Sequence, residues 1–529
     1  MVGPSQRPPG VSNGKPVPVR VAVMVQSEVV PEWVAWTVAR IAAGEHFELS
    51  AVVSVSPPGG EDDACRRRVS RASSLYERLD ARVFGGPSAL RPTRLGRIPR
   101  AMGGRPQASP PDVVISFPPA DPQGWPGPPP LHGVWTVVPA DDGQSGNGVR
   151  RIGDIRAGAA GVTAIVADAA GVRRVLSTAP VPPDHLSVAR TRDAAAWASG
   201  RLVVRTLEMV HRCGTVPVGD AGRLEEARSP STAAVVAHAV RTAGRGFGAK
   251  VRKVRAREEW FVAVRTTTAD GRIRGPWQRL PNPPGRYLAD PFPIEVDGRH
   301  YLFVEDYDVA GGRGVISVLE ARADGGWSAP RPVMRRDHHL SYPCVVRLDG
   351  VTYMLPETGE AHRVELYRAV DFPDVWELDS VLLEGLNAVD ATIHVADGSF
   401  WLFANVVDGP YDRGELHLYC SRSLAGPWRG HPENPVVSDP GVARPAGRLF
   451  HREGTLIRPS QDCSRRYGEA IVLNRVEVLS RTTYRERPVG RIEADWMPGL
   501  TGTHTYTFDA RYECVDAICD VPRLRAWGG

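Results

Sequence analysis

Two rhythms of apolar and polar positions divide the chain. Residues 19–55 read VRVAVMVQ, PEWVAWTVARIAAG and FELSAVVSVS: an apolar run, a stretch with apolar residues at helical spacing, then a second apolar run. The pattern predicts strand, helix, strand, with Pro31 in the first helical turn and Gly44 at the helix end. DVVISF at 112–117 and GVWTVV at 133–138 predict two more strands, and helical periodicity over 192–212 and 231–243 closes this half. Strands alternating with helices predict a parallel α/β sheet covered on both faces. The segment 56–110, rich in Arg, Pro and Gly, is expected to form mobile loops.

From Glu258 onward short alternating runs are separated by Gly, Pro and Asp, which is the pattern of an all-β domain. The change falls in GRGFGAKVRKVRAREE. It predicts a disordered tail over 1–17, an α/β domain over 18–245, a linker over 246–257 and an all-β domain over 258–529. The basic linker reads either as a solvated segment or as an anion-binding edge.

Inside the all-β half one phrase recurs. ADPFPIEVDGRHYLFVED begins its anchor at Asp290, SYPCVVRLDGVTYMLPET at Tyr342 and VDATIHVADGSFWLFANV at Asp390. Weaker copies place anchors at Arg444, in ARPAGRLFHREGTLIRPSQD, and at His504, in THTYTFDARYECVDAICD. The anchors are 52, 48, 54 and 60 residues apart, so each unit is a supersecondary element that must stack on its neighbours to bury its faces. Asp-Gly between two alternating runs predicts a hairpin. Further strand-like sequence and a tryptophan (Trp327, Trp376, Trp428) follow, which gives about four strands per unit. Five such units predict a five-bladed β-propeller. The innermost strands of a propeller surround its axis, so Asp290, Tyr342, Asp390, Arg444 and His504 are expected to meet at one mouth.

A charged, mixed ring of this kind suits a sugar-binding or glycoside-cleaving pocket. Glycoside chemistry needs one carboxyl that is protonated and one that is ionised. Glu305 and Glu357 end the second strands of their hairpins, and either could be the acid. Glu357 follows a proline in an apolar strand, where burial would raise its pKa as a general acid requires. His338 or His339, just before the second anchor, could hydrogen-bond a sugar. Arg458, Gln461, Asp462, Arg465 and Arg466, in RPSQDCSRRYG, form a dense polar run that could clamp a phosphate or carboxylate or make a salt-bridged contact between blades. Trp401, in FWLF, reads as core or as a sugar platform.

The residues YLADPFPIEVDG, HHLSYPCVV, YMLPET, VDATIHVADGSFWLFA, SRSLAGPWRGHPENPV and RPSQDCSRRYG carry a resemblance. Residues 275–520 are similar to the five-bladed propellers of glycoside hydrolase families 43 and 32. They more closely resemble the propeller-like N-terminal region of the glucosamine inositolphosphorylceramide transferase family and its bacterial relatives. This resemblance implies that Asp290 acts as general base or nucleophile and that Asp390 is a second carboxylate that modulates the acid or fixes the sugar. VAVMVQSEVVPEWVAWTV, PDVVISF and LHGVWTVVP are similar to the formyltransferase fold, which implies a Rossmann-like N-terminal domain. The family's Asn and His are missing from Gly133–Val138, and only Asp141 or Asp142 could supply an acid.

Composition narrows the rest. The net charge of +5 arises from 65 basic and 60 acidic residues spread along the chain, without a block that would track a phosphate backbone, so no nucleic-acid partner is expected. The basic residues are nearly all arginine, with Lys15, Lys250 and Lys253 the only lysines, which points to a GC-rich, actinobacterial source. Seven scattered cysteines without a CxxC pair, no signal-peptide core and no apolar run of membrane-spanning length predict a cytoplasmic protein with no integral membrane segment. No His/Cys/Asp set has metal spacing, and no GxGxxG follows the first strand, so neither metal nor cofactor is expected. The partner is expected to be a sugar, a sugar nucleotide or a glycolipid. The sequence leaves three activities open: glycosyl transfer or hydrolysis by paired carboxylates, glycan binding without catalysis, and formyl or acyl transfer through the N-terminal half.

Overall fold

A computed structural model describes residues 17–55, 71–84, 88–95, 110–118, 120–138, 161–169, 172–181, 184, 186–216, 232–267, 273–409, 412 and 414–522. The chain forms two compact units, Met1–Ala243 and Gly244–Gly529.

The first unit is built on a six-stranded sheet, with strands at Val19–Val25, Phe47–Ser54, Val113–Ser116, Val134–Val138, Gly161–Ala169 and Val172–Val181. Its helices are α1 (Glu32–Ala43), α2 (Arg71–Phe84) and α3 (Val188–Cys213), and a fourth, α4 (Thr232–Arg255), begins in it and continues past the unit boundary after Ala243. The strands read from apolar runs lie parallel to one another, but the last two pair antiparallel, so the sheet is mixed rather than parallel throughout. Ser187 caps α3 by accepting from the Arg190 N–H, and Gly214 ends it in the left-handed region at φ 66°. The segment expected to be loop contains α2 at 71–84, and the rest of its described residues lie in 88–95 and at 110. Its remainder, the tail over 1–16 and the acids Asp141 and Asp142 lie outside the described residues. The expected linker is helical through Arg255, and Ala256 already begins a strand of the second unit.

The second unit is a five-bladed propeller. Blades I to III take their four strands in chain order from Arg286–Met334, Ser341–Glu384 and Ala388–Gly430. Blade IV runs over Phe450–Ile492. In blade V, Leu500–Gly502 and Tyr506–Phe508 form a broken inner strand against Tyr512–Pro522. Ala256–Thr267 then adds beyond Tyr512–Pro522, with Ile273–Arg279 outermost. The segment that precedes blade I therefore completes blade V and closes the ring. Pairing covers eleven residues on each strand, from Tyr512 opposite Thr266 to Pro522 opposite Ala256.

Each predicted Asp-Gly turn has both central residues at positive φ: Asp297 (53°) and Gly298 (78°), Asp349 (49°) and Gly350 (80°), Asp397 (50°) and Gly398 (64°). That is the geometry of a tight two-residue hairpin, and Glu453-Gly454 supplies it in blade IV at 51° and 73°. Apolar layers fill the gaps between blades. Phe403, Leu418, Leu449 and Tyr484 join III to IV, and Val262, Leu302, Val304 and Cys514 join V to I. Trp401 belongs to the III/IV layer at 4% exposure, so it is core and not a platform. Among the described residues no helix is long and apolar enough to cross a membrane.

Candidate functional site

The anchors occupy one structural position. Strand register breaks between Ala289 and Phe292, between Ser341 and Cys344, and between Val389 and Thr392. At these bulges Asp290, Tyr342 and Asp390 adopt φ of 49°, 43° and 53°. For a residue with a Cβ this costs about 1–2 kcal/mol, and a bulge re-aims the side chain away from the ordinary pleat. In blades IV and V the inner strand is interrupted instead, at Arg444 and at His504.

A second ring lies against the first. Glu305 pairs opposite Ala289, Glu357 opposite Ser341 and Asn405 opposite Val389. Gln461 N–H donates to Arg444 O, and Asp516 N–H donates to Thr505 O. Asp516 carries no signal in the anchor phrase. Asp516 is nevertheless the hub of blade V, because its carboxylate accepts from the backbone of Asp290, His504 and Thr505.

Hydrogen bonds tie the rings across blades. Asp290 accepts from the Tyr342 N–H at 3.2 Å and the Thr505 hydroxyl at 2.7 Å. His504 Nδ1 lies 2.6 Å from Asp516 and its Nε2 3.7 Å from Asp290, while its ring stacks on Trp260 at 4.1 Å. Asp390 accepts from Arg444 Nε at 2.5 Å and Gln461 Nε2 at 2.7 Å, and Arg444 Nη2 stands 3.9 Å from Glu357. The Arg444 guanidinium sits 4.9 Å from the ring of Tyr467, which is 47% exposed. Tyr287 and Tyr307 stack at 4.7 Å on the blade I side.

Below this layer the axis is filled. The Tyr342 hydroxyl meets Thr392 at 2.9 Å and accepts from the Gly447 N–H at 2.7 Å. Arg448 donates to Val345 O, Pro293 O and Phe508 O, carbonyls of blades II, I and V. Tyr342 is thus part of the floor and not a ligand-facing anchor as expected. Its phenol is fully buried against Phe292.

Burial sets the proton positions. It raises Asp290 to about 6, with Asp516 and Asp390 pushing the same way and His504 opposing. It raises Glu357 to about 8, reinforced by Asp390, which also hydrogen-bonds it, and opposed by Arg444. Glu305 is held well above the usual carboxyl range by burial and then by Asp290 and Glu357. Burial disfavours charge on His504, but Asp516 and Asp290 outweigh it and its pKa is raised. Asp290, His504 and Asp516 offer donor atoms within 4.8 Å of one another, the one such grouping among the described residues.

A pH prediction follows for Glu357. The folded protein binds its proton more tightly than the unfolded chain, so the wild type loses stability as pH rises from about 4.5 to about 8, and the loss is complete above that window. Glu357→Gln keeps a donor for Asp390 and cannot ionise. Its melting temperature should gain on the wild type progressively across that window, and a difference independent of pH would contradict the assignment.

Several expected ligands are committed elsewhere. Arg458, proposed as an anion clamp, is completely buried and gives Nε and Nη2 to Glu486 at 2.8 and 2.6 Å. Asp462 pairs with Arg491 at 2.6 Å, Arg465 with Glu469 at 2.8 Å, and Arg466 faces Glu258 at 3.6 Å. Arg458 and Asp462 thus tie two strands of blade IV together, while Arg465 pairs within its own loop. Within the RPSQDCSRRYG run, Gln461 is the residue bound to an anchor carboxylate.

Comparison with known proteins matches residues 279–498 to the family described as glucosamine inositolphosphorylceramide transferase 1, N-terminal. Glucosamine inositolphosphorylceramide transferase 1 of Oryza sativa subsp. japonica is 37% identical over 211 residues, covering 39% of this chain and 28% of that protein. The Arabidopsis thaliana protein of the same name is 36% identical over 208 residues, covering 38% and 27%. The chain thus spans just over a quarter of the length of these relatives. Among solved structures, a thermostable family-43 glycoside hydrolase aligns with a TM-score of 0.29 at 13% identity, covering 40% of this chain and 77% of that one. A family 117 glycoside hydrolase of Zobellia galactanivorans aligns with a TM-score of 0.33 at 11% identity, covering 51% and 92%.

Proposed function

We propose that the propeller mouth binds the sugar of a glycoconjugate and transfers or hydrolyses a glycosyl group through paired carboxyl groups. The observation that carries this reading is the convergence of Asp290, Asp390, Arg444 and His504 on one ring beside two glutamates whose burial favours the protonated form. Carboxyl groups raised to different extents in one site, Asp290 to about 6 and Glu357 to about 8, supply the ionised and protonated partners that glycosyl chemistry requires. Asp290, with a pKa of about 6, is ionised at neutral pH and takes the proton of the attacking hydroxyl or water. A second-ring glutamate gives its proton to the departing oxygen. Asp390, fixed by Arg444 and Gln461, keeps the proton on Glu357. The faces of Tyr467 and Trp260 suit a sugar ring.

The family match spans every one of these residues except Trp260, His504 and Asp516, and the relatives are named as transferases of glucosamine and inositolphosphorylceramide. A sugar joined to a lipid headgroup is therefore the first ligand class to try. One observation favours binding without turnover: both oxygens of Asp290 are already hydrogen-bonded within the protein.

Thermal shift against free sugars, sugar nucleotides and glycolipids tests the reading. A ligand present at about a hundred times its Kd stabilises by roughly 2.7 kcal/mol. At least one sugar-bearing compound should raise the melting temperature, and Tyr467→Ala should weaken that shift. If no compound shifts the wild type, the reading falls; a shift without product formation leaves glycan binding.

A further inference from the structure

Resting on that reading, we infer that Glu305 is the proton donor of the mouth, that His339 is its positioning residue, and that Glu357 is not the donor. The tautomer of His339 is fixed by its neighbours. Gly314 N–H donates to His339 Nδ1 at 3.0 Å, so Nδ1 is a bare acceptor and the ring hydrogen sits on Nε2. That Nε2 faces Glu305 Oε1 at 3.5 Å. The ring is pinned from its own backbone too, where His339 N–H donates to Glu360 Oε2 at 3.1 Å. Burial lowers the His339 pKa, in keeping with an imidazole that stays neutral.

The fit is tight enough to dictate a glycine. A Cβ on Gly314 would lie 2.5 Å from Leu340 O, 2.8 Å from Glu305 Oε1 and 2.8 Å from His339 Cε1. Histidine, glutamate and the blade I backbone are thus in mutual contact only because position 314 has no side chain.

A neutral N–H facing Oε1 leaves Glu305's own proton on Oε2. The titratable groups around Glu305 are Asp290, Glu357, Asp516 and Asp390, with Tyr287 and His339 alongside. The aspartates among them resist a further negative charge. Glu357 differs, because it hydrogen-bonds Asp390 and faces Arg444, so its proton is engaged within the protein. In the transfer step the acceptor O–H gives its proton to Asp290 as the acceptor oxygen bonds the sugar carbon. The bond from that carbon to the leaving oxygen breaks, and its electron pair takes the proton of Glu305 Oε2. The carboxylate so formed accepts a hydrogen bond from the His339 Nε2–H, which stays on the ring, and the proton on Asp290 returns to Glu305 through solvent.

The test has two arms. Infrared difference spectroscopy at pH 7 compares wild type with Glu305→Gln, which should remove a protonated-carboxyl band. An unchanged band overturns the inference whatever the activity. The second arm measures turnover of matched 2,4-dinitrophenyl and methyl glycosides. Glu305→Gln should lose about 10²–10⁴-fold on the methyl compounds, whose leaving group needs a proton, and less than about tenfold on the dinitrophenyl compounds. Glu357→Gln should show no such split, and a split there with none in Glu305→Gln overturns the inference while the function stands. His339→Gln keeps an acceptor for Gly314 and a donor for Glu305, so it should retain the alkaline limb of the pH profile that His339→Leu displaces. Identical profiles in the two variants remove His339 from the assignment. If the wild type turns over no glycoside, the functional reading fails, and the infrared band alone decides where the proton sits.

Discussion

Asparagine in place of Asp290 should abolish glycosyl turnover, by about 10²–10⁴-fold, while the propeller keeps its fold. The substitution removes the base but little else. Asp290 sits at φ 49°, a conformation that Asn adopts more readily than other residues with a Cβ, so the bulge survives. The amide oxygen can still accept from the Tyr342 N–H. The amide NH₂ replaces the oxygen that accepts from Thr505, whose hydroxyl can rotate to become the acceptor. His504 loses one anionic neighbour and keeps Asp516 at 2.6 Å. Asp290→Ala would be a poorer test, because it adds left-handed strain to the lost hydrogen bonds. Full turnover by Asp290→Asn on a donor that the wild type uses would remove Asp290 from the chemistry. Loss of turnover together with unfolding, seen by circular dichroism, would show instead that the ring is a structural clasp.

The largest loss of stability is expected at Arg448. Its guanidinium reaches carbonyls on three blades, Val345 O at 2.8 Å, Pro293 O at 2.6 Å and Phe508 O at 3.0 Å. A charge-assisted bond contributes about 1.5–3 kcal/mol, and a buried carbonyl left without a donor costs about 1–3 kcal/mol. Because the three bonds share one side chain their effects do not sum, and Arg448→Ala should cost about 3–5 kcal/mol. At about 2–4 °C per kcal/mol for a unit of this size, the propeller transition should fall by on the order of 10 °C. Arg448→Lys should recover only part of this, since an ammonium on one stem cannot present a planar fork to carbonyls from three directions. A melting temperature within a degree or two of wild type for Arg448→Ala would mean that the blades are held by their apolar layers alone.

The propeller was legible because its repeat is local chemistry. Asp-Gly demands two residues at positive φ, the flanking alternation demands a hairpin, and recurrence at 48–60 residues demands stacked units. The same signals locate most of the second ring. Reflected through the turns at 297–298, 349–350 and 397–398, the anchors Asp290, Tyr342 and Asp390 land on Glu305, Glu357 and Asn405. The rule fails in blade IV, where the inner strand is interrupted, and in blade V, which has no Asp-Gly. Asp516 therefore has no turn that locates it.

Other side chains misled because residue type does not state direction. Arg458 and Gln461 lie three apart on one strand, so alternation sends them to opposite faces. Gln461 reaches an anchor carboxylate, while Arg458 is buried against Glu486. Tyr342 shares its backbone position with Asp290 and Asp390, yet its longer ring descends into the floor. In the N-terminal half, apolar runs marked the parallel strands, but strand direction past Val138 depends on a hairpin whose partners are both weakly patterned.

By itself, then, the order of residues determined the hairpins, the number of blades and which five positions would approach the axis, since each follows from interactions over a few residues or from the need to bury a repeated face. Only the tertiary structure decided which carboxyl groups keep a proton, which arginine pins the axis and which histidine faces a glutamate. Those outcomes depend on burial and on partners from other blades, up to 226 residues away in the case of Asp290 and Asp516. A proton's energy is set by that surrounding field, which no short stretch of chain contains.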